Sequence, residues 1–241
     1  MVAVVVLLAP VIFFTSQIVP VVLLGIFYGV LGRPDGDLEN LFAADSYWPK
    51  VAVFSLVSAM MIGMSIWFLR SWNEKKPLDS LMLKNFPKKF GRFYEILGVY
   101  GWYFFGTFAA ALILSAFGVI NVDQQQELGI AVPGAAPALL AVFILLVVLP
   151  PIAEEILFRG FLYNRLVKYS GVGWAYVLTS LLFGIAHLEF GNMNWIAAVD
   201  TFIFSLFLIY ISQKHQSIYS AMLLHALKNS IAFFLFVYGV V

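Results

Sequence analysis

Apolar residues run along this chain in long continuous stretches, and polar residues collect between them. A helix needs about 20 mostly apolar residues to cross a bilayer. Seven stretches meet that requirement: 2–30, 47–69, 94–120, 134–166, 172–190, 195–211 and 217–240. The first contains Pro10 and Pro20, so a kink or break is expected there. The connecting segments alternate in charge. Asp35, Asp37, Glu39 and Asp45 oppose a single Arg33 after the first stretch. Arg70, Lys75, Lys76, Lys84, Lys88, Lys89 and Arg92 dominate after the second, against Glu74 and Asp79. Asp123 and Glu127 follow the third, Arg165 and Lys168 the fourth, Glu189 the fifth and Lys214 the sixth. Basic loops stay in the cytoplasm, so this alternation predicts a cytoplasmic N-terminus and supports seven spans. Met1 to Leu8 has no basic residue and reads as the start of a retained span rather than a cleaved signal peptide.

The expected fold is therefore all-α, a polytopic transmembrane bundle of about seven helices. It forms a single integral membrane domain over 1–241, with the chemically loaded residues in a four-helix core over 134–241. Segment 70–93 is either a basic cytoplasmic loop or an amphipathic helix on the anionic inner leaflet. Composition agrees. The chain is 62% hydrophobic and 11% charged, where a soluble domain has about a quarter charged residues. Lipid is thus a partner, and the localisation is an integral multi-pass membrane protein, in the plasma membrane if the source is a bacterium. There is no cysteine, which removes disulfides, thiolate nucleophiles and Cys-ligated metals. A net charge of +1 gives no footprint for nucleic acid, and none is expected as a partner.

Against this background two adjacent acids stand out, Glu154 and Glu155, in the apolar run Pro150–Arg159. An ionisable group at membrane depth is costly and marks a functional site by default. Glu155 and Arg159 are spaced i, i+4 and can pair along one helix face. Glu154 lies about 100° further round and must point elsewhere. His187 sits on another stretch, four residues after Phe183. His225 and Asn229 share a face of a third. Counting about 1.5 Å per residue from the nearest turn puts Glu154, His187, His225 and Asn229 in a similar layer. Three helices can then present a carboxylate, two imidazoles and a carboxamide to one cavity. Such a set suits metal-assisted or carboxylate-assisted hydrolysis: a glutamate base with an imidazole orienting the water, or both holding a metal that activates it, and His and Asn donors for an oxyanion. The third histidine, His215, falls in a short basic loop and reads as solvated. Asp200 either lines the cavity or pairs with Lys228.

At these residues the chain resembles the CPBP family of intramembrane proteases, which includes CAAX prenyl protease 2-like enzymes and bacterial relatives linked to bacteriocin processing and self-immunity. That family is marked by Glu-Glu-x-x-x-Arg, Phe-x-x-x-His and His-x-x-x-Asn on successive membrane helices. Glu154-Glu155-x-x-x-Arg159, Phe183-x-x-x-His187 and His225-x-x-x-Asn229 match in that order. The resemblance covers residues 140–231 and implies an intramembrane endopeptidase acting on a peptide or membrane-protein substrate. It implies that Glu154 activates water with His187, that His225 and Asn229 stabilise the oxyanion, and that Glu155 and Arg159 support them. A divalent metal such as zinc, held by Glu154, His187 and His225, and a metal-free glutamate mechanism are both open. There is no HExxH. Two other functions stay open at this level: a non-proteolytic scaffold or immunity factor of the same fold, and an ion-coupled transporter. No Gly-x-Ser-x-Gly elbow or paired membrane aspartates favour other intramembrane proteases.

Overall fold

The computed structural model describes residues 1–31, 40, 42–83, 86, 91–119, 130–188 and 195–239, side chains of residues 91 and 92 excepted. Among the described residues every regular element is helical. Among the described residues six helical stretches are long and apolar enough to cross a membrane: α1 (Val2–Val30), α2 (Tyr47–Ser71), α3 (Gly91–Ala116), α4 (Ala136–Ala186), α5 (Trp195–His215) and α6 (Ile218–Val237). The chain is an integral membrane protein built as a helical bundle. Its outer face is apolar as lipid requires, with Trp102, Phe105 and Phe117 all more than two-thirds exposed.

Helix α4 has 51 residues. Straight, it would be about 75 Å long, more than twice the hydrocarbon core of a bilayer. It doubles back instead at Gly171, whose φ of 79° lies in the left-handed region that glycine enters without a Cβ penalty. The contacts show the reversal. Glu154 faces His187, the rings of Phe158 and Phe183 are 4.9 Å apart, and those of Tyr163 and Tyr176 are 5.4 Å apart. The residue numbers in each pair add to nearly the same total, the mark of an antiparallel hairpin. Among the described residues there are thus seven rods, and the predicted stretches 134–166 and 172–190 are the two arms of α4, which meet at Gly171.

Pro10 and Pro20 do not break α1, which is continuous over its 29 residues. Pro150 and Pro151 have a stronger effect. Each lacks an N–H and its ring crowds the carbonyl four residues back, here Leu146 and Val147. The helix widens to π-geometry over Ile144–Val148, immediately before them. A second π-segment, Ile156–Tyr163, starts right after Glu155 and is buried throughout.

The main core joins α1, α2 and both arms of α4, with Ile12, Leu157, Phe158, Phe161 and Phe183 almost fully enclosed. A second cluster joins α3, α5 and α6 through Ile96, Tyr103, Phe204, Leu208 and Leu224. Of the basic segment 70–93, residues 70–83 fold onto the bundle. A short helix, Pro77–Ser80, leads to Leu81, which is fully buried against Gly160. A Cβ on Gly160 would come within 2.9 Å of Leu81 Cδ2. Most charges on which the orientation rests (Arg33, Asp35, Asp37, Glu39, Lys84, Lys88, Lys89, Asp123, Glu127, Glu189 and the side chain of Arg92) lie outside the described residues.

Candidate active site

The first arm of α4 separates its two acids by their position on the helix. Glu155 is fully buried, and Arg159, one turn on, donates Nη1–H to its Oε1 at 2.9 Å. Glu154 is rotated away from this pair and reaches toward the second arm. Its carboxylate lies 3.7 Å from His187 Nε2, with both side chains partly accessible.

Each imidazole is fixed by its other nitrogen. His187 Nδ1 lies 2.8 Å from the Phe183 carbonyl. A carbonyl only accepts, so Nδ1 carries the hydrogen and Nε2 faces Glu154. His225 Nδ1 lies 2.9 Å from Glu155 Oε1 and likewise donates to it. Glu155 Oε1 therefore receives both Arg159 and His225, which joins α4 to α6.

Phe183 sits at the centre of this arrangement. The Arg159 guanidinium lies 4.3 Å from its ring centre, the His187 ring 4.5 Å and the His225 ring 6.1 Å. An aromatic face is a good neighbour for a guanidinium shielded from water. Gly184, next in sequence, lets the second arm of α4 approach α5, since a Cβ there would meet the Ala198 carbonyl at 2.7 Å.

Asn229 donates Nδ2–H to the Leu146 carbonyl at 2.8 Å. Leu146 is the residue four before Pro150, so its carbonyl is the one that Pro150 cannot serve. Asn229 repairs this gap and keeps one amide hydrogen for other use.

Glu154, His187, His225 and Asn229 all line one cavity of about 410 Å³, between α4, α5 and α6. The same cavity is lined by Asp200 and Lys228. Asp200 does both things expected of it: it faces the cavity, and it takes Lys228 Nζ at 2.5 Å. Its other oxygen accepts from the Tyr103 hydroxyl at 2.6 Å. Sequence reading missed Tyr103 altogether, because nothing in α3 marks it out from its aromatic neighbours.

His215 corrects the expectation of a solvated loop residue. It is 5% exposed at the end of α5. Its Nδ1 is 2.8 Å from Ser220 Oγ and its Nε2 is 2.7 Å from Glu95. The reason is Glu95, a partner 120 residues away on α3 that no local pattern announces.

Glu154, His187 and His225 do not gather as a three-ligand set. Among the described residues no group of three His, Asp or Glu side chains is placed to hold a metal ion. Glu154 and His187 face one another, and His225 is held to Glu155 through Nδ1. The donor set at this point is two side chains rather than the three that a catalytic zinc site uses.

Residues 136–231 match the Rce1-like family. The family's description is type II CAAX prenyl endopeptidase Rce1-like. The matched segment holds Glu154, Glu155, Arg159, His187, His225 and Asn229, together with Asp200 and Lys228. Tyr103 and the rest of α1 to α3 lie before it. No curated protein and no solved structure matches the chain.

Proposed function

We propose that this protein is an intramembrane endopeptidase of CAAX type, hydrolysing a peptide bond with water activated between Glu154 and His187. The observation that carries the reading is the 3.7 Å approach of Glu154 to His187 Nε2 on the wall of a cavity. A carboxylate only accepts hydrogen bonds. His187, donating from Nδ1 to Phe183, has a lone pair at Nε2 when the ring is neutral. One water donating to both atoms satisfies them together and turns its own lone pair toward the cavity.

From there the balance is simple. The water oxygen bonds to the scissile carbonyl carbon and Glu154 takes the proton. The carbonyl oxygen becomes an oxyanion. Asn229 offers its second amide hydrogen to it, and the His225 ring, held by Glu155, lines the same wall of the cavity. The C–N bond then breaks as Glu154 passes its proton to the leaving amine. The products are a carboxylic acid and an amine, which settle in water as carboxylate and ammonium, and Glu154 is restored. Arg159 and Glu155 hold His225 in place and take no part in bond making. The substrate class is a peptide or membrane-protein tail at the membrane boundary.

The test uses the purified full chain in liposomes with a library of C-terminal and leader peptides, with and without chelator. The Glu154→Ala variant should lose about 10²–10⁴-fold in cleavage rate while keeping its helical content and melting temperature. Cleavage that survives this substitution would falsify the role of Glu154. Loss of activity with chelator in the intact protein would move the chemistry to a metal.

A further inference from the structure

A second cavity, of about 340 Å³, lies at the end of the bundle where α2, the corner of the α4 hairpin and α5 come together. It shares no lining residue with the cavity of Glu154 and His187. Two cations line it, Arg165 and Lys168. Arg165 is almost fully buried and is held from two sides. Its Nη2 donates to Glu74 Oε2 at 3.1 Å, and its guanidinium lies 5.2 Å from the centre of the Trp72 ring. Lys168 Nζ meets the same Glu74 Oε2 at 3.5 Å. Two cations thus share one carboxylate oxygen, which leaves one positive charge unmatched at the cavity wall. A guanidinium has five N–H donors and an ammonium three, and Glu74 takes one from each. Arg70, Lys75 and Lys76 stand exposed at the same end of the molecule and add to a field that draws anions toward it.

The neutral polar groups of this cavity are mostly carboxamides, and their nitrogens are already engaged. Asn164 donates both amide hydrogens, to the Ser80 carbonyl at 3.0 Å and to the Gly160 carbonyl at 3.1 Å. Gln213 Nε2 points to Met82 Sδ at 3.9 Å. What these two side chains keep is the amide oxygen, which accepts and does not donate. The wall therefore offers positive charge beside neutral acceptors. A bare inorganic anion answers the first alone; a phosphate that carries hydroxyl groups answers both. Leu69, Val167 and Val172 make the remaining wall apolar, and Val172 is more than half exposed at the outer surface. The backbone is also unusual here. Met82 has φ 54° and Gln216 has φ 50°, and both line the cavity. Non-glycine residues in the left-handed region cluster at ligand clamps.

We propose that this cavity binds a hydroxyl-bearing phosphate, of the kind found in the headgroup of an anionic polyol phospholipid. Arg165 and Lys168 take the phosphate oxygens, as charge-assisted donors do. The amide oxygens of Asn164 and Gln213 accept from the polyol hydroxyls. Glu74 and Trp72 are positioning residues, which hold the guanidinium ready for the anion. The apolar wall past Val172 leaves room for the chains of a lipid to continue along the bundle. The volume lies within the about 300–1,000 Å³ usual for small-molecule sites. Peptide cleavage plays no part in this site or in its test.

The experiment measures binding of acyl-labelled fluorescent lipids to the full chain in dodecyl maltoside micelles. The probes are phosphatidylglycerol, phosphatidylmethanol (the same charge without hydroxyls) and phosphatidylcholine. Phosphatidylglycerol is expected to bind about tenfold tighter than phosphatidylcholine, and about threefold tighter than phosphatidylmethanol. Lys168→Gln should remove most of the first preference and Lys168→Arg should keep it. Lys168 is half exposed, so these substitutions leave the packing intact, and melting curves of each variant check this. Gln213→Leu should remove most of the second preference. Lys75→Gln with Lys76→Gln deletes two charges at the same end but outside the cavity, and should leave both preferences in place. Unlabelled glycerol 3-phosphate is added as a competitor. Displacement of the phosphatidylglycerol probe assigns the site to a free polyol phosphate, and its absence assigns the site to the lipid. Equal binding of phosphatidylglycerol and phosphatidylcholine, or a preference that survives Lys168→Gln, overturns the proposal. So does a preference lost equally in the Lys75 and Lys76 variant, which would make it a property of surface charge. Equal binding of phosphatidylglycerol and phosphatidylmethanol overturns the assignment of the amide oxygens to hydroxyls.

Discussion

Asn229 and Pro150 form a donor and a deficit that answer one another. Pro150 strands the Leu146 carbonyl, and the Asn229 amide reaches across from α6 to take it. Asn229→Ala should therefore cost about 0.5–1.5 kcal/mol by removing the hydrogen bond to a half-buried acceptor. Pro150→Ala returns an N–H to the helix, so the double variant should recover much of that loss. A double-mutant cycle on thermal or denaturant stability reads the coupling, and strict additivity would show that the two residues act separately. Arg159 gives a second case. It and Glu155 are both fully buried and paired at 2.9 Å. Arg159→Met leaves Glu155 buried without its guanidinium and should cost about 3–5 kcal/mol. Arg159→Met with Glu155→Met should be far milder, and equal losses in the two variants would contradict this account. At this scale much was legible in the sequence, because an ionisable residue in an apolar run is conspicuous whatever its partner. The partners were less legible. Glu155 could be matched to Arg159 from spacing alone, but its bond to His225 crosses 70 residues. Lys228 and Asp200 could be named as a pair only as one of two options. Pro150 stood in plain view, yet its link to Asn229 depends on a helix crossing that no spacing encodes.

The hairpin of α4 is the element that brings the motifs into register. A straight helix would leave Glu154 and His187 at opposite ends of the molecule; folded at Gly171, it places them face to face. Two glycines carry this arrangement in different ways. Gly171 adopts φ 79° and ψ 169°, so Gly171→Ala should cost about 1–3 kcal/mol in backbone strain without touching the site. Gly184 has ordinary helical geometry but no room, with the Ala198 backbone 2.7 Å from where a Cβ would stand. Gly184→Ala should therefore cost about 1–3 kcal/mol by overpacking and also lower peptide cleavage, because it pushes His187 off its station. Stability and activity measured side by side separate the two: Gly171→Ala changes the first far more than the second, and Gly184→Ala changes both. If Gly184→Ala left cleavage untouched, the close approach to α5 would have no bearing on the site. The apolar stretches predicted every rod to within a few residues, since length and hydropathy are local properties. They could not show that the fourth and fifth rods meet in a reversal at one residue, because that depends on the conformation of a single glycine. The π-segments were equally hidden, because widening a helix changes hydrogen-bond partners without changing its apolar face.

At the scale of the whole molecule the α4 hairpin is tied to the N-terminal helices at one end of the bundle, and the tie centres on Glu74. This residue follows α2, outside the membrane-spanning helices. It accepts from Arg165 at 3.1 Å and from Lys168 at 3.5 Å, both at the corner of the α4 hairpin. Asn164 adds a bond from the same corner to the Ser80 carbonyl at 3.0 Å, and Arg165 lies 5.2 Å from the Trp72 ring centre. The Ser80 hydroxyl, together with the Lys168 and Arg165 cations, holds the Glu74 carboxyl below the usual carboxylate range. The sign follows from that lowering. A group that is more acidic in the folded state stabilises it fully above its ordinary pKa, and the contribution fades as pH falls through the lowered value. The intact protein should therefore lose thermal stability on acidification below about pH 4.5, while Glu74→Gln should start lower at neutral pH and show less of this loss. The gap between them is expected to be modest, at most about 1 kcal/mol, because Lys168 is half exposed and water screens the pair. Raising the salt concentration at pH 7 should narrow it further. Melting curves of both proteins in the same micelles between pH 7 and pH 3 read the difference directly and cancel the other titrating groups. A gap that stayed constant across that range, or grew at low pH, would mean that Glu74 does not fasten the hairpin corner to the N-terminal half.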